Sequence, residues 1–264
     1  MLRYRRINRD VFTDTFFATS KGGKSTRGNT CAQLFVTDST FVHLYPMKKE
    51  AEVLMAIQNF AKEVGAPRSM MCDPSRAQTK QDVKTFCANM DTTLRILEKN
   101  TPWANKAELY IGLFKRSVRE DMRKSDSPLC LWDYCCERRA LIHNATVSNN
   151  QYLKGQTPYF DIYGQEPDIS NICQFSWYEW GYFREQSTSD FPLPKIKLCR
   201  VLGPARHSGN EMAYWVLKSN GKVVPRRTVR KLNVDELNND IEKHFFISYQ
   251  IVNTYSILDK FTKT

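Results

Sequence analysis

Val11-Phe12-Thr13-Asp14-Thr15-Phe16-Phe17-Ala18 is an apolar, β-branched run with a carboxylate at its middle. That composition predicts a strand over residues 10–18, and an ionised side chain inside such a strand is costly unless something positive meets it. A second short run, Ser69-Met70-Met71-Cys72, leads directly to Asp73 and is cut off by Pro74, so this acid stands where a strand stops. A third acid, Glu108, falls near the start of a long helical pattern that begins around Trp103. Two strand-borne aspartates and a helix-borne glutamate are a donor set able to hold two divalent ions about 4 Å apart, beside the attacking and leaving oxygens of a phosphodiester. The chain has 28 acids, and one acid at a strand end is more often a turn former, so order, spacing and element type must carry the reading together. The intervals suit it: 58 residues between Asp14 and Asp73 and 34 between Asp73 and Glu108 leave room for the strands and helices of one sheet.

Outward from these acids the pattern is regular. Thr19 to Asn29 is a polar, Gly-rich hairpin loop; it contains Gly-Lys-Ser but lacks the spacing of a phosphate loop and the apolar helix that would follow one. Residues 31–39 and 40–46 read as a second hairpin. A helical pattern over 49–64 stops at Gly65, a natural C-cap. A helix over 80–90, a strand over 93–97 and two long helices, about 103–123 and 128–149, complete the order βββαβαβαα. That order implies an antiparallel meander followed by parallel additions to the same sheet. Residues 151–174 form a Pro- and Gly-punctuated connector. Strand signals then recur at 175–184, 196–202, 212–217 and 223–229, separated by good turn chemistry, which makes a small β-barrel over 175–232 the expectation. A helix from Asn233 to about Phe246 opens a weakly specified tail, 233–264.

With 264 residues and 41% apolar content the chain can bury a proper core. Its net charge of +11 points to a polyanionic partner. No segment is long and apolar enough to span a membrane, and Met1-Leu2-Arg3-Tyr4-Arg5-Arg6 has no apolar signal core behind it, so a nuclear or cytoplasmic protein with no membrane partner is expected. The eight cysteines follow no disulfide framework and the four histidines no ligand spacing, which predicts reduced thiols and no zinc module.

Several of these stretches resemble the integrases of copia-type retrotransposons, within the retroviral-integrase and ribonuclease H-like class. They are Val11-Phe12-Thr13-Asp14-Thr15, Cys72-Asp73, Pro102-Trp103-Ala104-Asn105-Lys106-Ala107-Glu108, the connector Thr157-Pro158-Tyr159 through Gly164-Gln165-Glu166-Pro167-Asp168-Ile169, and Tyr214-Trp215-Val216-Leu217 to Arg226-Arg227-Thr228-Val229. The resemblance spans about residues 10–232. It implies a ribonuclease H-like mixed five-stranded sheet with flanking helices over 8–150, followed by a small SH3-like barrel. Asp14, Asp73 and Glu108 would match the Asp-Asp-Glu triad, which is at once the catalytic set and the metal set. The interval before Glu108 is one residue shorter than is usual in that family, and the family's upstream zinc-binding module has no counterpart, as in a fragment of a longer polyprotein.

The implied activity is metal-dependent trimming and joining of DNA 3′ ends, with two Mg²⁺ (or Mn²⁺) ions, no small-molecule cofactor, element ends and target DNA as partners, and homo-oligomers as the working form. The alternatives are a catalytically silent nucleic-acid-binding remnant, or a ribonuclease H-like nuclease that does not join. Lys115 lies seven residues after Glu108, two helical turns along the same face, and with Lys106 is a candidate phosphate contact. Residues 192–232 hold ten Lys/Arg against the single acid Glu211. Lys195, Lys197, Arg200, Arg226, Arg227, Arg230 and Lys231 from this segment are therefore expected to face a phosphate backbone.

Overall fold

The computed structural model describes residues 4–18, 23–98, 105–148, 150–185, 196–206, 212–233 and 235–236. The chain divides into two compact units, Met1–Met122 with Leu129–Asp168 and Arg123–Pro128 with Ile169–Thr264. Among the described residues no helix is long and apolar enough to cross a membrane.

The first unit is a five-stranded mixed sheet in the order β3-β2-β1-β4-β5. Its strands are β1 (Arg6–Phe17), β2 (Cys31–Thr37), β3 (Val42–Met47), β4 (Ala66–Cys72) and β5 (Thr93–Ile96). β1 is the pivot: it runs antiparallel to β2 and parallel to β4. This is the antiparallel meander with parallel additions expected from the element order, and the mixed five-stranded sheet that the resemblance implied. β2 is buried at every residue, as a strand covered on both faces must be.

One face of the sheet carries Val11, Phe35 and Met70 against α1 (Val53–Glu63) and α2 (Gln81–Asn89). In α1 the buried residues Val53, Ala56, Ile57, Phe60 and Ala61 fall at three- and four-residue steps, the apolar stripe a helix needs to sit on a sheet. Phe60 stacks on Phe35 with ring centroids 4.6 Å apart. Gly65 ends the helix at φ +133°; a Cβ there would stand 2.7 Å from the carbonyl oxygen of Arg5, so the turn into β4 is open to glycine alone. On the opposite face Phe16 meets Trp132 edge-on, with centroids 6.2 Å apart. Trp132 opens α4 (Trp132–Ala145), which follows the long α3 (Lys106–Ser125).

Two side chains of α4 attend to the edge strand β3. Asn144 accepts the Val42 N–H at 2.8 Å and donates to the Val42 carbonyl at 2.7 Å. His143 Nε2 lies 2.8 Å from the Thr40 carbonyl oxygen. At the other end of α4, Asp133 is fully buried and receives Arg27 Nε and Asn29 Nδ2, each at 2.8 Å, which ties the loop before β2 to the helix. Part of the expected connector belongs to this unit: α5 (Pro158–Tyr163) adds Ile162 to the core, and its Asp161 pairs with Arg9 and accepts from Ser39.

The second unit contains α6 (Ser170–Cys173) and a five-stranded antiparallel sheet in the order β10-β6-β7-β8-β9. The strands are β6 (Glu179–Arg184), β7 (Ile196–Pro204), β8 (Tyr214–Lys218), β9 (Val223–Arg226) and β10 (Val229–Lys231). The stretch expected as one strand over 223–229 is thus two, broken at Arg227-Thr228, and these two form opposite edges of the sheet. From Arg226 to Val229 the chain reaches at most about 11 Å, whereas the edges of a flat five-stranded sheet stand about 19 Å apart. The sheet must therefore curl on itself, which makes it a small barrel. Phe183, Cys199, Val201, Tyr214, Val216 and Val229 fill its interior together with Phe175. The eight cysteines are free thiols, and only Cys173 is exposed. The expected tail helix lies, beyond Glu236, outside the described residues, as does Lys195.

Candidate functional site

Asp14 sits in β1 and Asp73 directly follows β4, the parallel neighbour. The register pairs Thr13 with Cys72, so each aspartate is the next residue along its strand, and the two backbones are about one strand spacing, 4.8 Å, apart. Both acids are half-buried. Asp14 shares its face of the sheet with Phe16, two residues on, and that ring carries Lys115 of α3 at 5.6 Å. Glu108 occupies the exposed side of the first turn of the same helix.

The Asp14 carboxyl feels the other two acids. Burial, followed by the charges of Asp73 and then Glu108, pushes the Asp14 carboxyl up to about 6, against the lowering influence of hydrogen bonds from Thr15 and Gln78. Asp14 Oδ1 accepts the Thr15 N–H at 2.7 Å and Gln78 Nε2 at 3.3 Å. Among the described residues no three acidic, thiol or imidazole groups stand as a closed ligand cluster, so the acids share an electrostatic neighbourhood without converging on a point. The donor chemistry still fits a hard divalent cation. It is all oxygen, it carries repulsion that a cation relieves, and beside it the Gln78 Oε1 is buried with no hydrogen-bond partner.

Two amides that the sequence reading gave no role touch the aspartates. Asn105 is the residue before α3: its Oδ1 accepts the Ala107 N–H at 3.0 Å, an N-cap, while its Nδ2 donates to Asp73 Oδ1 at 2.8 Å. An Asn placed just before a helical pattern is a signal that sequence alone offers. Gln78 carries no comparable signal. It follows Asp73 in an irregular stretch and is nevertheless only 1% exposed.

The basic residues are more committed than their number suggests. The Lys106 ammonium donates to the Asp38 carbonyl at 2.7 Å and lies 5.8 Å from the Tyr110 ring centroid; burial lowers its pKa. In the barrel, Lys197 (3.6 Å), Lys218 (2.9 Å) and Arg226 (3.3 Å) all converge on Glu185 at the end of β6, whose pKa they hold down, Lys218 foremost. Lys231 pairs with Glu179 at 3.2 Å and Arg230 with Glu236 at 2.6 Å. Arg200 lies 3.5 Å from the Trp180 ring centroid and 4.5 Å from that of Tyr178, and donates to the Tyr178 carbonyl at 2.9 Å. Arg227 is exposed in the short link between β9 and β10. The acids that meet these cations, Glu179, Glu185 and Glu236, come from outside residues 192–232, so charge counted along that segment overstates the field the barrel presents.

No protein-family model matches the chain, and no curated protein matches it. Among solved structures, the intasome of simian T-cell lymphotropic virus, in complex with the PP2A regulatory subunit B56 gamma, is similar at 15% identity and a TM-score of 0.48, over 87% of this chain and 84% of that one. The HTLV-2 integrase catalytic core domain in complex with magnesium is similar in its trimeric form at 19% identity and a TM-score of 0.47, over 61% of this chain and all of that one. Its dimeric form gives 18% identity and a TM-score of 0.47, over 62% of this chain and all of that one.

Proposed function

We propose that this chain is an integrase core that trims and joins DNA 3′ ends, with Asp14, Asp73 and Glu108 as its metal-binding acids and the barrel as a DNA-holding unit. The observation that carries the reading is the parallel register of β1 and β4, which sets Asp14 and Asp73 on neighbouring strands, with Glu108 in the first turn of α3 near enough for its charge to bear on Asp14. The sequence resemblance to copia-type integrases supports the same assignment on the same three residues. Two Mg²⁺ or Mn²⁺ ions, when bound, supply an activated nucleophile and a stabilised leaving oxygen.

The chain's own residues then have distinct tasks. Asp14 and Asp73 offer fixed oxygens from the sheet, and Glu108 offers one from a helix start, where the helix dipole favours an anion. Lys115, which lies over the ring of Phe16 on the face that Asp14 shares, would meet a phosphate. Arg227 and the barrel cations would meet a phosphate backbone. A second reading, a nucleic-acid-binding remnant without catalysis, draws on the exposure of Glu108 and the absence of a closed ligand cluster among the described residues.

A strand-transfer assay separates the two readings. Purified protein is incubated with a labelled element-end oligonucleotide, target plasmid and Mg²⁺, alongside Asp73→Asn. Joined products that vanish in the variant support the integrase; DNA retention without cleavage or joining, equal in both proteins, supports the remnant; nicking without joining supports a nuclease.

A further inference from the structure

The two aspartates are each gripped by a buried amide, and the grip has a direction. Beneath Asp14 a chain of polar groups runs through the core. Gln78 Nε2 lies 3.5 Å from Thr15 Oγ1, Thr15 Oγ1 donates to Gln33 Oε1, Gln33 Nε2 donates to Thr13 Oγ1 at 2.6 Å, and Thr13 Oγ1 donates to the Leu34 carbonyl at 2.7 Å. Each hydroxyl has one proton, so the terminal carbonyl fixes the polarity of every link before it. Thr15, having spent its proton on Gln33, can only accept from Gln78. The amide of Gln78 must therefore turn its NH₂ toward Thr15 and Asp14, and it reaches Asp14 Oδ1 at 3.3 Å.

Asn105 is fixed as firmly. Its oxygen is held by the Ala107 N–H at the start of α3, which leaves its NH₂ for Asp73 Oδ1 at 2.8 Å. Both amides are only 1% exposed, and burying such groups costs free energy unless their bonds are made.

We infer that Gln78 and Asn105 are positioning residues for the cation site: each donates to Oδ1 of one aspartate, fixes the carboxylate's rotation, and leaves Oδ2 to the cation. Asn105 also links the end of β4 to the first turn of α3, so that Asp73 and Glu108 move together. The inference rests on the proposed reading of these acids as metal ligands. Residues that orient metal ligands from behind commonly carry 10- to 100-fold in metal affinity.

The test is Mn²⁺ binding, followed by calorimetry and by the electron paramagnetic resonance of the free ion, on the full chain without DNA. Asn105→Ser keeps an N-cap but is too short to serve Asp73 as well, and Gln78→Leu keeps the volume but loses the donor. Asp73→Asn is the control. The expected result is a loss of Mn²⁺ affinity of about 10-fold or more in Asn105→Ser and Gln78→Leu, with the metal-free melting temperature of Asn105→Ser close to wild type. Wild-type Mn²⁺ affinity in both variants, with affinity lost in Asp73→Asn, overturns the positioning role and leaves the site standing. Wild-type affinity in Asp73→Asn overturns the site itself, and this inference with it.

Discussion

Asp14→Asn changes one atom's worth of chemistry at the point where the structure concentrates like charge. The asparagine oxygen still accepts from Thr15 and Gln78, so the hydrogen bonds at 2.7 and 3.3 Å survive and only the charge is lost. In the wild type the Asp14 carboxyl titrates at about 6 instead of in the ordinary carboxylate range. The folded state therefore holds this proton more tightly than the unfolded chain does. Its stabilising effect is complete below pH 4 and is lost as pH rises through 6. A shift of about two pKa units corresponds to about 3 kcal/mol. The variant, neutral at every pH, escapes that loss. In EDTA it is expected to match the wild type near pH 4 and to exceed it by up to about 3 kcal/mol at pH 8, or about 6–12 °C in melting temperature for a domain of this size. Circular dichroism melts at half-unit pH steps measure this directly. A difference between the two proteins that stays constant from pH 4 to pH 8 would refute the claim that burial and like charge bear on Asp14. Mg²⁺ should narrow the gap at pH 8 by stabilising only the wild type.

Three further substitutions probe the frames of the two units. Asp133→Ala takes from Arg27 and Asn29 their buried acceptor, leaving Arg27 only Glu137 at 2.9 Å, and should cost about 3 kcal/mol in urea denaturation, with faster amide exchange over residues 25–29. Gly65→Ala drives a methyl group to 2.7 Å from the Arg5 carbonyl at φ +133° and should destabilise the first unit by about 3 kcal/mol in the same assay. Glu185→Gln weakens the common partner of Lys197, Lys218 and Arg226 and should cost the barrel about 2 kcal/mol near neutral pH. Because the pKa of Glu185 is lowered on folding, that contribution is present above the ordinary glutamate range and fades as pH falls through the folded value, so the two proteins should converge in acid.

The order of elements was legible because each carries its own local signal: the three- and four-residue apolar steps of α1, the stop at Gly65, the break after Asp73. The two aspartates could be paired from sequence because both mark strand positions, and parallel pairing through β1 and β4 then follows from topology. The partners of the charged residues were not legible. Glu185 meets its three cations through the curl of the barrel, and Asp133 meets Arg27 across more than a hundred residues, so neither leaves a trace in spacing. The same holds for Gln78, whose burial depends on how the stretch after Asp73 folds back over β1. The barrel's last strand was misread because Val223 to Val229 is apolar enough for one strand, and only the pairing partners reveal the turn at Arg227-Thr228.

The side chain of Asn144 gives β3 what another strand would have given it: one donor and one acceptor, placed on the outward-facing backbone of Val42. An incoming chain that sought to lengthen the sheet there would find those positions taken. At this end of β3, Asn144 is thus a stopper against sheet growth, while the opposite edge of the sheet is formed by β5.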